Sequence, residues 1–484
     1  MKKRIIFLAL FAASSHGVSA QLIKAPNEGE KVTFLKSVAP SNAAFFLKAP
    51  TTLWQDNADE SWYNVSATQF TLTTPAQVAG LAKIVNAGNS FAEKTVIFGN
   101  DMDFGAHLWM PIGKGYQFPF SGIIKGNNKK ILNVQINLPA GDFVGFVGQM
   151  FNGKIDNLTA ENVTVSGHDT VGSIVGNLST NSTMDNCHAK NVNISGTDFN
   201  VGGLVGGLLT NSSISNSSAE GDVSGVNQVG GIVGTVWDKT SITKTYAKGT
   251  VSGQYIIGGF AGYSTMAFQP NRNNEISDSY TRSNVNASSE RVGGFYGGPE
   301  SNAITTNVYS TGTVNEVFAS GGFAGFVMQT VAQNVYYDYT VAPLDAVGML
   351  MGPPVTGING WTSEQMKSQN LATSLNAGRS TAVWYFDASK NDGYPTLDFE
   401  QALATSNSSV RSKVQVYPTI VTDFMTINSK ETNMTYKVLD FSGRMIKSGA
   451  VNDGKVNFSQ LGKGNYILVL QNGSEMSSHK FIKN

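Results

Sequence analysis

Seven copies of one glycine-rich phrase recur through the middle of the chain at a nearly fixed interval. They occupy 142–148 (DFVGFVG), 170–176 (TVGSIVG), 200–206 (NVGGLVG), 228–234 (QVGGIVG), 256–262 (IIGGFAG), 291–297 (RVGGFYG) and 319–325 (ASGGFAG). Their final glycines fall at 148, 176, 206, 234, 262, 297 and 325, giving steps of 28, 30, 28, 28, 35 and 28. A fixed period of this size marks a repeat architecture in which each unit buries its apolar face only against its neighbours. The chain is therefore constrained to a solenoid, and any function must come from a site displayed on it.

A second phrase follows each glycine block, beginning at Ile155, Met184, Ile214, Ile242, Ile276 and Ile304. Its apolar and small polar residues alternate, as in Val163-Thr-Val-Ser166, and no 3.6-residue period is present. About three short strands per unit, separated by Gly, Asn and Ser turns, make one coil of a parallel β-helix. The glycines are expected at tight corners that need positive φ and close backbone approach. The six phrase-opening residues align as one inward apolar ladder, and Leu158, Cys187, Ser217, Thr245 and Ser279 as a column of smaller residues. The fold class is all-β: a parallel β-helix of about 28-residue coils with short capping helices and a small C-terminal β-sandwich.

The glycine phrase, followed by a unit such as 246–253 (YAKGTVSG), resembles the GLUG repeat of bacterial secreted and surface proteins. The stretches 109–113 (WMPIG) and 120–128 (FSGIIKGNN) are similar to the lead-in coils of that family, and 393–397 (GYPTL) after Trp384 to its exit. The resemblance covers roughly residues 60–398. It implies extracellular recognition more than catalysis and no fixed ligand.

Open solenoid ends need covers. Thr74-Pro-Ala-Gln77 reads as a capping box opening a helix over 75–86, with Val78, Leu81, Ala82 and Val85 on one face and Gly88 as the stop. Thr362-Ser-Glu-Gln365 opens a second helix near Met366 and Leu371. The expected organisation is an N-terminal cap over 51–93, the β-helix over 94–345 and its C-terminal cap over 346–403.

The N-terminus combines Lys2-Lys3-Arg4, an apolar run over 5–13 and Val18-Ser-Ala20, the pattern of a secretory signal peptide cleaved between Ala20 and Gln21. The apolar run is too short to span a bilayer, so no transmembrane segment is expected in the mature chain. Residues 21–50 read as a leader and 404–413 as a linker. Beyond it, 414–484 carries five or more short strand patterns with glycine turns, a small β-sandwich. This segment resembles the C-terminal sorting domain of the Bacteroidetes type IX secretion system in its block order, the Gly443-Arg444 turn and the terminal Lys480-Phe-Ile-Lys483, with Thr419-Ile420 where Asn-Pro is usual. The resemblance implies export by that machinery, to the medium or the outer-membrane surface.

Lys plus Arg equals Asp plus Glu at 34 each, and charged residues make up only 14%, so no basic field exists to hold nucleic acid. The single cysteine, Cys187, allows no intramolecular disulfide and lies in an inward column, where a buried thiol is expected. No HExxH, GxSxG or P-loop occurs, and His107, His168, His188 and His479 are not paired at metal-ligand spacing, so no cofactor or metal is expected.

Three features remain as candidate sites. Asp156 and Asp185 align in adjacent units, a weak catalytic or Ca²⁺ candidate without a basic partner in the column. Tyr246, Tyr280, Tyr309 and Tyr336 form an aromatic column, preceded by His188: a sugar-stacking strip if outward, a core ladder if inward. The 35-residue step marks an insertion over 263–274 that offers Met266, Phe268 and Arg272 as interface residues. Asp169-Thr-Val171 also fits a short O-glycosylation pattern. The functional expectation is a secreted, adhesin-like binder of glycans or host matrix. The alternatives are a β-helix polysaccharide lyase or hydrolase acting through the Asp156/Asp185 region, and a structural envelope protein.

Overall fold

The computed structural model describes residues 50–265, 272–300, 303–401, 415–417, 420–428, 434–440, 445–451, 453–472 and 475–484. The signal peptide with Ala20 and Gln21, the leader up to residue 49, the linker, Met266, Phe268 and the Gly443-Arg444 turn lie outside the described residues.

The chain folds as a stack of about nine coils, a parallel β-solenoid. One long sheet begins at Gln69–Leu72 and passes through Lys154–Gly167, Thr183–Gly196, Ser213–Ser224, Ser241–Gly258 and Asn274–Gly293 to Ile358–Trp361. A second sheet stacks shorter strands, among them Val147–Phe151, Val175–Ser179, Val205–Leu209, Val233–Trp237 and Ala261–Thr265. Every pairing between successive coils is parallel, so each strand is templated by the one a coil earlier.

The corners are built differently from the expectation. Strands such as Lys154–Gly167 run unbroken round them, and asparagine supplies the left-handed conformation there: Asn157, Asn162, Asn186, Asn191 and Asn216 all have φ between 48° and 59°. Asparagine tolerates this conformation because its short amide can bond locally. It also forms ladders between coils, with Asn186 Nδ2 on Asn157 Oδ1 at 2.7 Å and Asn191 Nδ2 on Asn162 Oδ1 at 2.7 Å. The phrase-final glycines serve close approach instead. A Cβ on Gly234 would lie 2.4 Å from backbone atoms of Asn200 and Val201.

The apolar ladder holds in register from Ile155 through Met184, Ile214, Ile242 and Ile276, all buried, but its next rung is Thr305, not Ile304. The tyrosines set this register: Tyr309 pairs with Tyr280, and one more residue separates Tyr309 from Ile304 than separates Tyr280 from Ile276. Thr305 is buried, and its Oγ1 hydrogen-bonds the hydroxyl of buried Tyr296 at 3.1 Å. Cys187 is fully buried, and burial pushes its thiol up to about 12.

Helix α1 (Pro75–Asn86) is N-capped by Thr74, whose hydroxyl accepts from Gln77 N at 3.3 Å, and buries Val78, Leu81, Ala82 and Val85. After Trp361 the chain turns back along the flank of the solenoid. Helix α2 (Ser363–Met366), opened by a capping box at Thr362, and helix α3 (Gln369–Leu375) lead into the antiparallel pair Trp384–Tyr385 and Thr396–Leu397. Their apolar residues form a second core, outside the coils, against the tyrosine column.

The C-terminal region has a three-stranded antiparallel sheet (Gln415–Tyr417, Phe424–Asn428, Lys455–Asn457) and a five-stranded sheet that includes Thr435–Asp440, Gly464–Asn472 and Glu475–Lys483. Val421, Met425, Ile427, Val438, Val456, Phe458, Leu468 and Phe481 supply its own core.

Candidate functional site

The tyrosine column is neither an exposed strip nor part of the solenoid interior. Tyr246, Tyr280 and Tyr309 stack with centroids 5.0 and 4.8 Å apart on the outer side of the long sheet. Residues 361–401 cover them completely, leaving Tyr280 and Tyr309 at 0% exposure. Lys244 pairs with Asp398 at 2.7 Å, Arg282 with Asp392 at 2.6 Å, and Arg379 with Asp278 at 2.7 Å, fastening this strap to two successive coils. Phe399 stacks on His188, which burial drives down to about 4. A ligand would have to remove the strap to touch any of the four tyrosines.

Asp156 and Asp185 do lie in register on adjacent coils. Each carboxylate is already occupied by neighbours: Lys154 Nζ at 3.1 Å and Asn157 Nδ2 at 2.9 Å on Asp156, Ser215 Oγ at 2.6 Å and Asn216 Nδ2 at 2.8 Å on Asp185. The basic partner missing from the column thus sits two residues back on the same strand, where side chains share a face. Among the described residues no group of three His, Cys, Asp or Glu is placed to hold a metal ion. Arg272 is held in a two-pronged pair by Asp238.

An open groove lies instead on the short-stranded sheet, with a volume of about 400 Å³. Three rows of side chains build it. Strand alternation sends Leu178, Leu208 and Val236 into the core. On the other side it leaves a middle row of Gln149, Asn177, Gly207, Thr235 and Tyr263, and an outer row of Phe151, Ser179, Leu209, Trp237 and Thr265. The third row comes from the corner position of the glycine phrase, where Phe143, Thr170, Asn200 and Gln228 all have φ between 55° and 59°. That conformation turns these side chains over the sheet edge. The five coils span roughly 19 Å at ~4.8 Å each.

Gly207 makes the hollow. A Cβ there would meet Asn177 Oδ1 at 3.0 Å, Thr170 Cγ2 at 3.4 Å and Thr235 Cγ2 at 3.8 Å, so the missing side chain opens the row between Asn177 and Thr235. Aromatics frame the opening: Trp237 is 47% exposed, Phe199 38% and Tyr116 67%. Tyr116 packs edge-on against Phe143 at 4.8 Å, and burial together with the charge of Asp169 raises its hydroxyl above the ordinary range. Tyr263 closes the far end, its hydroxyl pushed up to about 12 by burial and a hydrogen bond to Glu300. Asp169 is the one ionisable carboxylate in the lining, which holds no lysine or arginine. Thr170, the centre of the short O-glycosylation pattern, is buried with its hydroxyl donated to Asp169 Oδ1 at 2.7 Å.

Two side-chain oxygens in this lining have no partner: Asn177 Oδ1 and Asn200 Oδ1. Sequence reasoning missed the groove because its rows take one or two residues from each phrase and its centre is an absent side chain. The available signal was Gly207 itself, which follows the phrase-final glycine where other units carry Gln149, Asn177, Thr235 and Tyr263.

Comparison with known proteins agrees with this architecture. Residues 415–484 match the secretion system C-terminal sorting domain, and residues 197–224 match the GLUG motif. The protein is therefore a GLUG-repeat β-helix with a type IX sorting tail. It is secreted by the type IX system and ends up released or on the cell surface. Halomucin of Haloquadratum walsbyi is 39% identical over 67 residues, which cover 13% of this chain and 1% of halomucin. The chain thus spans about a hundredth of that curated relative. A solved chain from Bacteroides ovatus, provisionally described as an immunoglobulin A1 protease, superposes with a TM-score of 0.44 at 19% identity over 71% of this chain and 94% of that one. No helix among the described residues is long and apolar enough to cross a membrane.

Proposed function

We propose that this protein is an adhesin-like binder that engages glycan outside the cell through the groove around Gly207. The observation that carries the reading is the composition of that groove: exposed Trp237, Phe199 and Tyr116 around a floor of amides and hydroxyls. Aromatic faces suit the apolar faces of sugar rings, and the amides suit their hydroxyls. A shallow, open surface of this kind gives modest affinity, which several copies on a cell surface would multiply.

The test is a screen of the full chain against glycans and matrix proteins, with release of reducing or unsaturated ends assayed in the same wells. Saturable glycan binding without product supports the reading. Product release would replace it with an enzymatic role, and binding confined to matrix protein, surviving deglycosylation, would replace the glycan with a protein partner.

A further inference from the structure

A chain of hydrogen bonds that begins at a backbone carbonyl fixes the orientation of the Gln149 and Asn177 amides. Gln149 Nε2 donates to Met150 O at 3.3 Å and to Ser179 Oγ at 2.8 Å, so its Oε1 must face Asn177. Asn177 Nδ2 donates to that Oε1 at 2.8 Å, which turns Asn177 Oδ1 towards Gly207 with nothing to accept from. Asn177 is fully buried, and Asn200 repeats the arrangement: Nδ2 donates to Asp169 Oδ1 at 3.0 Å, and Oδ1 is left over. A carbonyl cannot start such a relay as a donor, so neither amide can flip without losing a bond.

An unsatisfied buried acceptor is destabilising. It persists here in the lining of the open groove, where Gly207 contributes no side chain. The geometry points to a subsite at Gly207 for an uncharged sugar, one of whose hydroxyl or N–H groups donates to Asn177 Oδ1 and another to Asn200 Oδ1. The proposal rests on the glycan reading above and narrows it to neutral glycans. A uronate or sulfate ester would bring acceptor oxygens to two acceptors and the Asp169 carboxylate, with no lysine or arginine in the lining to offset them. Sites built to hydrogen-bond one partner reject an analogue that leaves their buried groups unpaired.

Gly207→Ser tests this directly. Gly207 has an extended backbone that any residue adopts, and the new hydroxyl would reach Asn177 Oδ1 and satisfy it from within the chain. The full chain, Gly207→Ser and Trp237→Ala are compared by affinity electrophoresis in dextran, mannan, galactan and xylan, and in sulfated and carboxymethylated forms of the same polymers. The expected result is retardation of the wild type by at least one neutral polymer and at least tenfold weaker retardation by its anionic forms. Gly207→Ser should lose binding at least tenfold with a melting temperature equal to or above wild type. Equal binding of anionic polymers, or unchanged binding by Gly207→Ser where Trp237→Ala is impaired, would overturn the subsite and leave the glycan reading standing. Wild-type binding to none of the polymers, neutral or anionic, would remove the glycan reading and the subsite with it.

Discussion

The Tyr280 hydroxyl donates to Glu400 Oε2 at 2.9 Å, linking a solenoid rung to a residue 120 positions later in the chain. The same carboxylate accepts from Leu397 N at 2.8 Å, so one buried group holds both the ladder and the turn that ends the strap. Burial raises the Glu400 carboxyl, and the nearby Lys248 ammonium, which lies 4.5 Å from the centre of the Tyr246 ring, opposes that shift.

Replacing Glu400 with Ala leaves the buried Tyr280 hydroxyl without its acceptor, at a cost of about 1–3 kcal/mol. The strap should then become the first site of limited proteolysis, within 361–401, while the coils resist. Because the folded-state value is raised, the Glu400 contribution is full below its unfolded value of 4.5 and declines as pH rises through the folded value. Glu400→Gln keeps an acceptor and should flatten that part of a stability–pH curve measured by thermal melts.

His188 gives the opposite slope. Burial lowers it from 6.5 to about 4, and its ring nitrogens meet Ser218 Oγ at 3.0 Å and Asn186 Oδ1 at 3.1 Å. The unfolded chain binds more protons between these values, so stability is present above 6.5 and falls as pH drops towards 4, by on the order of 3 kcal/mol. Denaturant melts of the wild type and His188→Gln at pH 7 and pH 4.5 check this: the difference between the two pH values should shrink in the variant. An unchanged difference would assign the acid sensitivity to other groups.

These two groups show where the sequence was legible and where it was not. The repeat period placed the tyrosines in register with His188 two coils before Tyr246, because parallel stacking copies position from coil to coil. Which face they occupied was not legible. Period-two alternation offers two faces, and the segment covering one of them lies as far as 154 positions away, the separation of Lys244 from Asp398. The slip from Ile304 to Thr305 was hidden for a related reason: the buried Tyr296 that hydrogen-bonds Thr305 belongs to the other sheet. The groove was invisible because Gly207 contributes only space.

Gly207 and Gly234 separate the two uses of glycine. A Cβ at Gly234 would press on the backbone of the preceding coil at 2.4 Å, and backbone cannot rotate away. Gly234→Ala should therefore destabilise by about 1–3 kcal/mol or more, as overpacked sites do, with faster amide exchange concentrated in the coils on either side. Gly207→Ala meets side-chain atoms at 3.0 Å and beyond, so its melting temperature should stay near wild type. Similar destabilisation in both variants would mean that coil spacing is as tight at Gly207 as at Gly234.

The aromatic frame makes the last test of the groove. Trp237 and Phe199 are partly exposed, and both line the groove. Surface truncations of this kind usually change stability by less than ~0.5 kcal/mol, whereas loss of a stacking aromatic from a binding surface costs about 1–3 kcal/mol. Trp237→Ala and Phe199→Ala should each melt with the wild type yet weaken glycan binding about tenfold. Trp237 fluorescence should shift on titration with a binding polysaccharide and not with a non-binding one. If both variants bind as the wild type does, the glycan does not lie along this face, since both rings line the groove.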